Sequence, residues 1–225
     1  CPEDVAEARR LGVSTDRILQ LPYALTDEEH DCLRGIPPAS PKSNRILFLG
    51  TFDWRKGAAD MPKIFERILE TEPGASLRLA GTQGLFRTEH EVRTHFPRNI
   101  QNKLEVIPRF VREELPTMLR DCTAGIFPSY LEGWGFAVTE QMAAGVPVVV
   151  YDAPGVSMQL PRDFLVKAGD WRGMADKVAT LLKNPEKRAN ASVVQREIAD
   201  SFVWDPIIKA TDRAYRERMA RLRSA

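Results

Sequence analysis

From Gly125 to Val150 the chain reads strand, glycine loop, helix, strand, and that order leaves few folds open. Gly125-Ile126-Phe127 is a short apolar run that stops at Pro128, as a buried strand does. Gly133 and Gly135 follow in a loop and permit a tight turn with close backbone approach. Residues 136–144 are good helix formers, with Gly145 at the stop and Pro147 just beyond. Val146 to Val150 is again rich in β-branched residues. That is a strand–helix–strand unit. The free amides at the start of its helix, near Phe136, Ala137 and Val138, are suited to an anion.

The same alternation runs through the rest of the chain. Strand 45–50 is followed by helix 58–72, where Met61, Ile64, Phe65, Ile68 and Leu69 recur at helical spacing and mark a core-facing stripe. Strand 76–80, a helix near 88–96, strand 103–107 and helix 112–121 come next. Strand 124–127, helix 136–144, strand 146–150, a turn at 156–160, strand 164–167 and helices 170–183 and 186–200 complete the series. This predicts an α/β fold, a Rossmann-like parallel sheet with helices on both faces. Ligands of such sheets sit beyond the carboxyl ends of the strands. Gly50, Gly81, Arg109 and Ser129 all fall at or just past such ends, so a single site is expected there.

The two ends of the chain read differently. Residues 1–34 suggest a helix from Glu3 to Gly12, a short strand from Arg17 to Leu21, and a turn helix. Residues 35–43 hold three prolines and two serines, the composition of a linker. The tail beyond Ser201 reads as an appended charged helix. Its arginines, among them Arg213, Arg216 and Arg218, are interleaved with Asp212 and Glu217, which favours a solvated face over a nucleic-acid arm. The expected division is a hinge and linker over 1–43, a ligand-binding domain over 44–200 and a carboxy-terminal helix over 201–225.

Composition removes several function classes. Basic and acidic residues number 32 and 31, so no global field draws the chain toward nucleic acid or a membrane surface. No apolar run approaches the roughly 18 residues of a membrane span. Cys1, Cys32 and Cys122 are scattered and odd in number, which argues against a disulfide framework or a zinc site and for a reducing, cytoplasmic setting. His30, His90 and His95 lack metal-ligand spacing, and His90 and His95 read as surface. No Asp-x-Asp occurs, so no metal is expected.

Glu132 and Glu140 carry the chemistry. Glu132 precedes the glycine-flanked helix, and Glu140 lies about one turn inside it. A phosphate at the helix start would have one carboxylate on each side. A carboxylate accepts two hydroxyl hydrogen bonds, and sugars offer adjacent hydroxyl pairs, so the ligand implied is a sugar joined through a diphosphate to a ribose. The bland alternative is two solvated surface glutamates; the glycines and the strand–helix context weigh against it.

On these residues the chain resembles the retaining, nucleotide-sugar-dependent glycosyltransferases of family 4, with the GT-B fold and its Glu-x7-Glu motif. Arg45-Ile46-Leu47-Phe48-Leu49-Gly50, followed by Arg55-Lys56-Gly57, is similar to the family's first strand and phosphate-gripping loop. Leu77 to Gly81 is similar to its second strand and glycine turn, and Val106 to Val111 to its nucleobase-side strand. The resemblance covers about residues 16–210. It implies the donor half of an enzyme that transfers a hexose from a nucleoside diphosphate sugar, with no further cofactor. Catalytic roles would fall to Glu132, Lys56 and Arg55, with Glu140 holding the ribose diol. Donor contacts would come from Gly50, Thr51, Gly81, Arg109, Phe110, Gly133, Trp134, Gly135, Phe136, Ala137 and Val138. Two positions depart from the pattern: Thr51 stands where many relatives carry arginine, and Arg109 where glycine is common. Arg109 is open to base contact or to a surface role, and Trp134 to shaping the sugar pocket or packing beneath it. The chain opens inside a helix with no initiator methionine or signal peptide, so an amino-terminal acceptor-binding domain is expected elsewhere. The donor half alone would then transfer almost nothing, and membrane association would come only through the other half. The competing function is a non-catalytic nucleotide or phospho-ligand binding module. A phosphorylase of the same fold would need pyridoxal phosphate, for which no lysine-centred signature is present.

Overall fold

A computed structural model of the protein describes residues 1–40 and 43–223. Pro41 and Lys42 of the expected linker, and Ser224 and Ala225 of the tail, lie outside them. Six strands form one sheet: β1 (Arg45–Leu49), β2 (Ser76–Ala80), β3 (Leu104–Ile107), β4 (Cys122–Phe127), β5 (Val148–Asp152) and β6 (Leu165–Lys167). All neighbours pair in parallel, in the order β3-β2-β1-β4-β5-β6. Ile46 to Leu49 and every residue of β4 are buried, as central strands covered on both faces must be.

The described helices are α1 (Pro2–Arg10), α2 (Asp27–Arg34), α3 (Met61–Thr71), α4 (Glu89–Arg93), α5 (Leu115–Leu119), α6 (Phe136–Ala143), α7 (Trp171–Lys183), α8 (Pro185–Asp200) and α9 (Trp204–Arg223). α3 packs on α7, while α6 packs on α8 and α2. The apolar stripe expected on the first long helix is in place: Met61, Ile64, Phe65 and Ile68 are all buried. No described helix is long and apolar enough to cross a membrane.

Several boundaries differ from the sequence-based expectation, each for a physical reason. The helix expected over 58–72 starts at Met61, because the chain first turns through Gly57 at φ 84°. The helix expected over 112–121 divides into a 3-10 turn, Arg112–Glu114, and α5, with Pro116 in the first turn of α5 where its missing N–H costs nothing. The helix near 88–96 contracts to Glu89–Arg93. The β5 ladder begins at Val148 rather than 146, where the Gln195 side chain takes the Val148 N–H (2.8 Å) and gives its own N–H to the Val148 carbonyl (3.0 Å). The strand expected from Arg17 to Leu21 is absent. Thr15–Arg17 form a 3-10 turn, and no described strand lies alongside to complete a ladder.

Part of the amino-terminal segment is packed with the sheet rather than beside it. Leu25, Leu33 and Ile36 share the core that holds Phe48, Phe65 and Phe127. The strand order places the switch in chain direction between β1 and β4. A crevice is expected beyond the carboxyl ends of those two neighbours.

Candidate active site at the strand switch

The loops after β1 and β4 meet beyond those strand ends because a glycine lets them. Gly57 has φ 84°, and a Cβ there would lie 2.4 Å from the Pro128 carbonyl oxygen. The close approach lays Lys56 over the Phe127 ring (5.0 Å to the centroid) and brings its Nζ to 2.6 Å from Glu132 Oε1. Arg55 comes from the same loop and donates to the Leu131 carbonyl (2.7 Å) and to Glu132 Oε1 (3.2 Å). Ser129 donates to the same oxygen at 2.5 Å. Glu132 Oε1 therefore collects two cations and a hydroxyl, while Oε2 accepts no hydrogen bond among the described residues. The Glu132 side chain is only 8% exposed, Lys56 13% and Arg55 47%, so the first pair is largely desolvated and the third member is not.

The backbone of Glu132 is set by a loop that sequence reading passed over. Its N–H donates to the Pro154 carbonyl (3.0 Å), and its own carbonyl lies where a Cβ on Gly155 would be, 1.9 Å away. Pro154-Gly155, directly after β5, carried the turn signal that marks this seat.

α6 starts at Gly135, a left-handed N-cap at φ 92°. The amide of Val138 turns back to the Gly135 carbonyl (2.8 Å), so it is not free for a ligand as expected. Phe136 and Ala137 are left to present the orphan donors of the helix start. Further along α6, Glu140 is buried and ion-paired through Oε1 to Nη1 of Arg112. Burial pushes its carboxyl above the usual carboxylate range, and Arg112 pulls it only partly back. Arg112 was not among the expected site residues; a charged residue just past a strand's carboxyl end was the available signal.

The remaining expected residues are spread around this centre. Gly50 and Gly81 continue the ladders past β1 and β2, their amides donating to Ala80 (2.9 Å) and Ile107 (2.8 Å). Phe110 lies against Gly81, and Arg109 is exposed. Thr51 donates to Asp53 (3.0 Å) within the β1 loop. Gly133 is exposed with open space where a Cβ would stand. Trp134 is buried and donates to Thr139 Oγ1 (3.1 Å), with its ring against Tyr23 and Phe202. His95 is a correction: it is packed edge-on against Phe86 (4.3 Å), Trp54 and Phe52, and burial lowers its pKa, whereas His90 is exposed. Also missed was Asp60, a buried carboxylate that accepts from the hydroxyls of Tyr130 (2.5 Å) and Tyr151 (3.0 Å) and so ties the Glu132 loop to α3 and β5. Burial, then Asp60, pushes the Tyr130 phenol up to about 12. Among the described residues no group of three His, Cys, Asp or Glu side chains could hold a metal ion. A separate groove of about 600 Å³ between α7 and α8 shares no lining residue with this site.

Comparison with known proteins adds to this geometry. Residues 32–197 match the family described as glycosyl transferases group 1. The chain is 25% identical over 185 residues to a glycogen synthase of Mycobacterium tuberculosis, across 76% of this chain and 42% of that protein. Sucrose-phosphate synthase from Thermosynechococcus elongatus superposes with a TM-score of 0.73 at 20% identity, covering 97% of this chain and 57% of that one. A mutant of S. aureus TarM, solved in complex with UDP, superposes with a TM-score of 0.71 at 16% identity, covering 80% and 37%. The chain thus spans about half the length of the proteins it matches. At these identities the superpositions establish the fold, a Rossmann-like half of the GT-B arrangement.

Proposed function

The chain belongs to the glycosyl transferases group 1 family, and on that premise we propose that it is the donor-binding half of a retaining enzyme that moves a hexose from a nucleoside diphosphate to an acceptor. One observation carries the reading. Lys56 and Arg55 from the β1 loop and Glu132 from the β4 loop converge at the strand switch, between β1 and β4. The first residue of α6, Phe136, follows Glu132 by four positions.

In this reading the diphosphate sits against Lys56, Arg55 and the amides of Phe136 and Ala137. Charge grows on the leaving phosphate as the glycosidic bond breaks, and donors already fixed in place stabilise it without reorganisation. A bound diphosphate would share the two cations that now hold Glu132 Oε1. Glu132 Oε2 then faces the donor sugar's hydroxyls. Glu140 accepts from the ribose diol on the other side of α6. Neither a metal nor a further cofactor enters the proposal. Acceptor recognition is assigned to the part of the protein outside this sequence.

Lys56→Ala tests the reading by calorimetric titration. A charge-assisted contact is worth about 1.5–3 kcal/mol, so diphosphate affinity should fall roughly tenfold to a hundredfold. Affinity for the bare nucleoside should stay near its starting value. Equal losses for both ligands would make Lys56 a structural residue and remove it from the clamp.

A further inference from the structure

We infer that Arg112 is a positioning residue for the ribose side of this site: it fixes Glu140 through Oε1 and leaves Oε2 to accept from the diol of a nucleotide. The inference rests on the reading of Glu140 given above.

Three stretches far apart in the chain meet at this guanidinium. Arg112 opens the turn after β3, beside Phe110, on the side of the site expected to face the base. Its Nη1 pairs with Glu140 Oε1, on α6. Its opposite edge is held by Glu29 of α2, with Nε and Nη2 at 2.9 and 2.8 Å from Glu29 Oε1. Glu29 is itself anchored, since its Oε2 accepts from the Thr26 N–H (3.0 Å) in the capping box of α2. The Arg112 side chain is 45% exposed and that of Glu140 8%, so the cation stands at the surface with the carboxylate largely desolvated beside it. Glu140 Oε2 accepts no hydrogen bond among the described residues.

This arrangement answers a chemical need. A carboxylate this buried tends to take up a proton, and a protonated acid loses much of its capacity to accept from two hydroxyls. Two charged groups act on Glu140: Arg112 favours its ionised form, and Glu29 opposes it. Glu29 also spends its own charge on Arg112, which keeps the guanidinium in place. A planar fork reaches both carboxylates at once with fixed geometry, whereas an ammonium is a single point of charge. The bland alternative is a staple that only joins α2 to α6.

Calorimetric titrations of the full chain separate the two. The probes are UDP, GDP and ADP, each paired with its 2′,3′-dideoxy analogue. Wild type should prefer the ribonucleotide, and Glu140→Ala should abolish that preference. Arg112→Gln should cut the preference by about tenfold near neutral pH, the loss of one charge-assisted bond. The preference should return as pH rises and Glu140 ionises without help. Arg112→Gln added to Glu140→Ala should change it no further. Without ligand, carboxyl NMR should show Glu140 titrating at higher pH in Arg112→Gln than in wild type. If Arg112→Gln keeps the full preference while Glu140→Ala loses it, Arg112 has no positioning role and the reading of Glu140 stands. Should Glu140→Ala itself keep the preference, the ribose reading fails and this inference with it. If Arg112→Gln weakens both analogues alike at every pH, Arg112 is a staple only.

Discussion

At Glu140, burial holds the carboxyl's pKa above its ordinary 4.5, and Arg112 offsets only part of that shift. The folded state therefore binds this proton more tightly than the unfolded chain does. The stability it contributes is full below the unfolded pKa and is lost as pH rises through the folded pKa. Ionising this buried side chain as pH rises therefore costs the fold some stability. Glu140→Gln removes the charge, and Arg112 keeps Glu29 as its partner. The variant should match wild type in acid and melt higher near neutral pH, by about 2–4 °C for each kcal/mol relieved. Thermal melts across the pH range read this directly. A gap that closes or reverses as pH rises would show that the Arg112 pair outweighs the burial. Both glutamates were legible from their spacing about a glycine loop and a helix start. Their partners were not equally so: Arg55 and Lys56 belong to a recognisable loop, whereas Arg112 lies 28 positions from Glu140 and meets it only through packing, as does Glu29 with Arg112.

Loops set the site at the scale of elements, and their glycines differ in kind. Gly133 lies in the expected turn with open space around it, so Gly133→Ala should be nearly neutral for stability. Gly155 has φ 85° and the Glu132 carbonyl oxygen where its Cβ would stand. Gly155→Ala must bear the left-handed backbone, about 1–2 kcal/mol, and must also push the Glu132 carbonyl away. Its melting temperature should drop, and its discrimination between sugar nucleotides should fall with it. Similar melting temperatures for the two alanine variants would refute this placement. Strands were the most readable elements, because burial on both faces leaves continuous apolar runs such as Ile46 to Leu49. Helix starts were less so, since α3 waits for the turn at Gly57 to finish. The segment at Arg17–Leu21 shows the limit of local pattern: an apolar run without a neighbouring strand stays irregular.

For the molecule as a whole, the amino-terminal segment matters more than its linker-like composition suggests. α2 is tied to α8 through Asp200, by His30 (2.9 Å) and Arg34 (3.1 Å), and Leu33 beneath them is 2% exposed. Leu33→Ala should cost about 2–5 kcal/mol, as for other large-to-small core changes. Denaturant melts would show it, and a change under about 1 kcal/mol would mean that α2 docks loosely. Alternation of apolar runs and amphipathic stretches determined the α/β class, the parallel sheet and the strand ends where a ligand would sit, because period and burial are local properties of the chain. The order β3-β2-β1-β4-β5-β6, which sets the loops of β1 and β4 face to face, was decided by how strands pair. So was the desolvation of Glu132 and Glu140 and the choice of the cations that meet them. Charge pairing and burial depend on distance in space, and only the folded chain brings position 56 to 132 and position 112 to both 29 and 140.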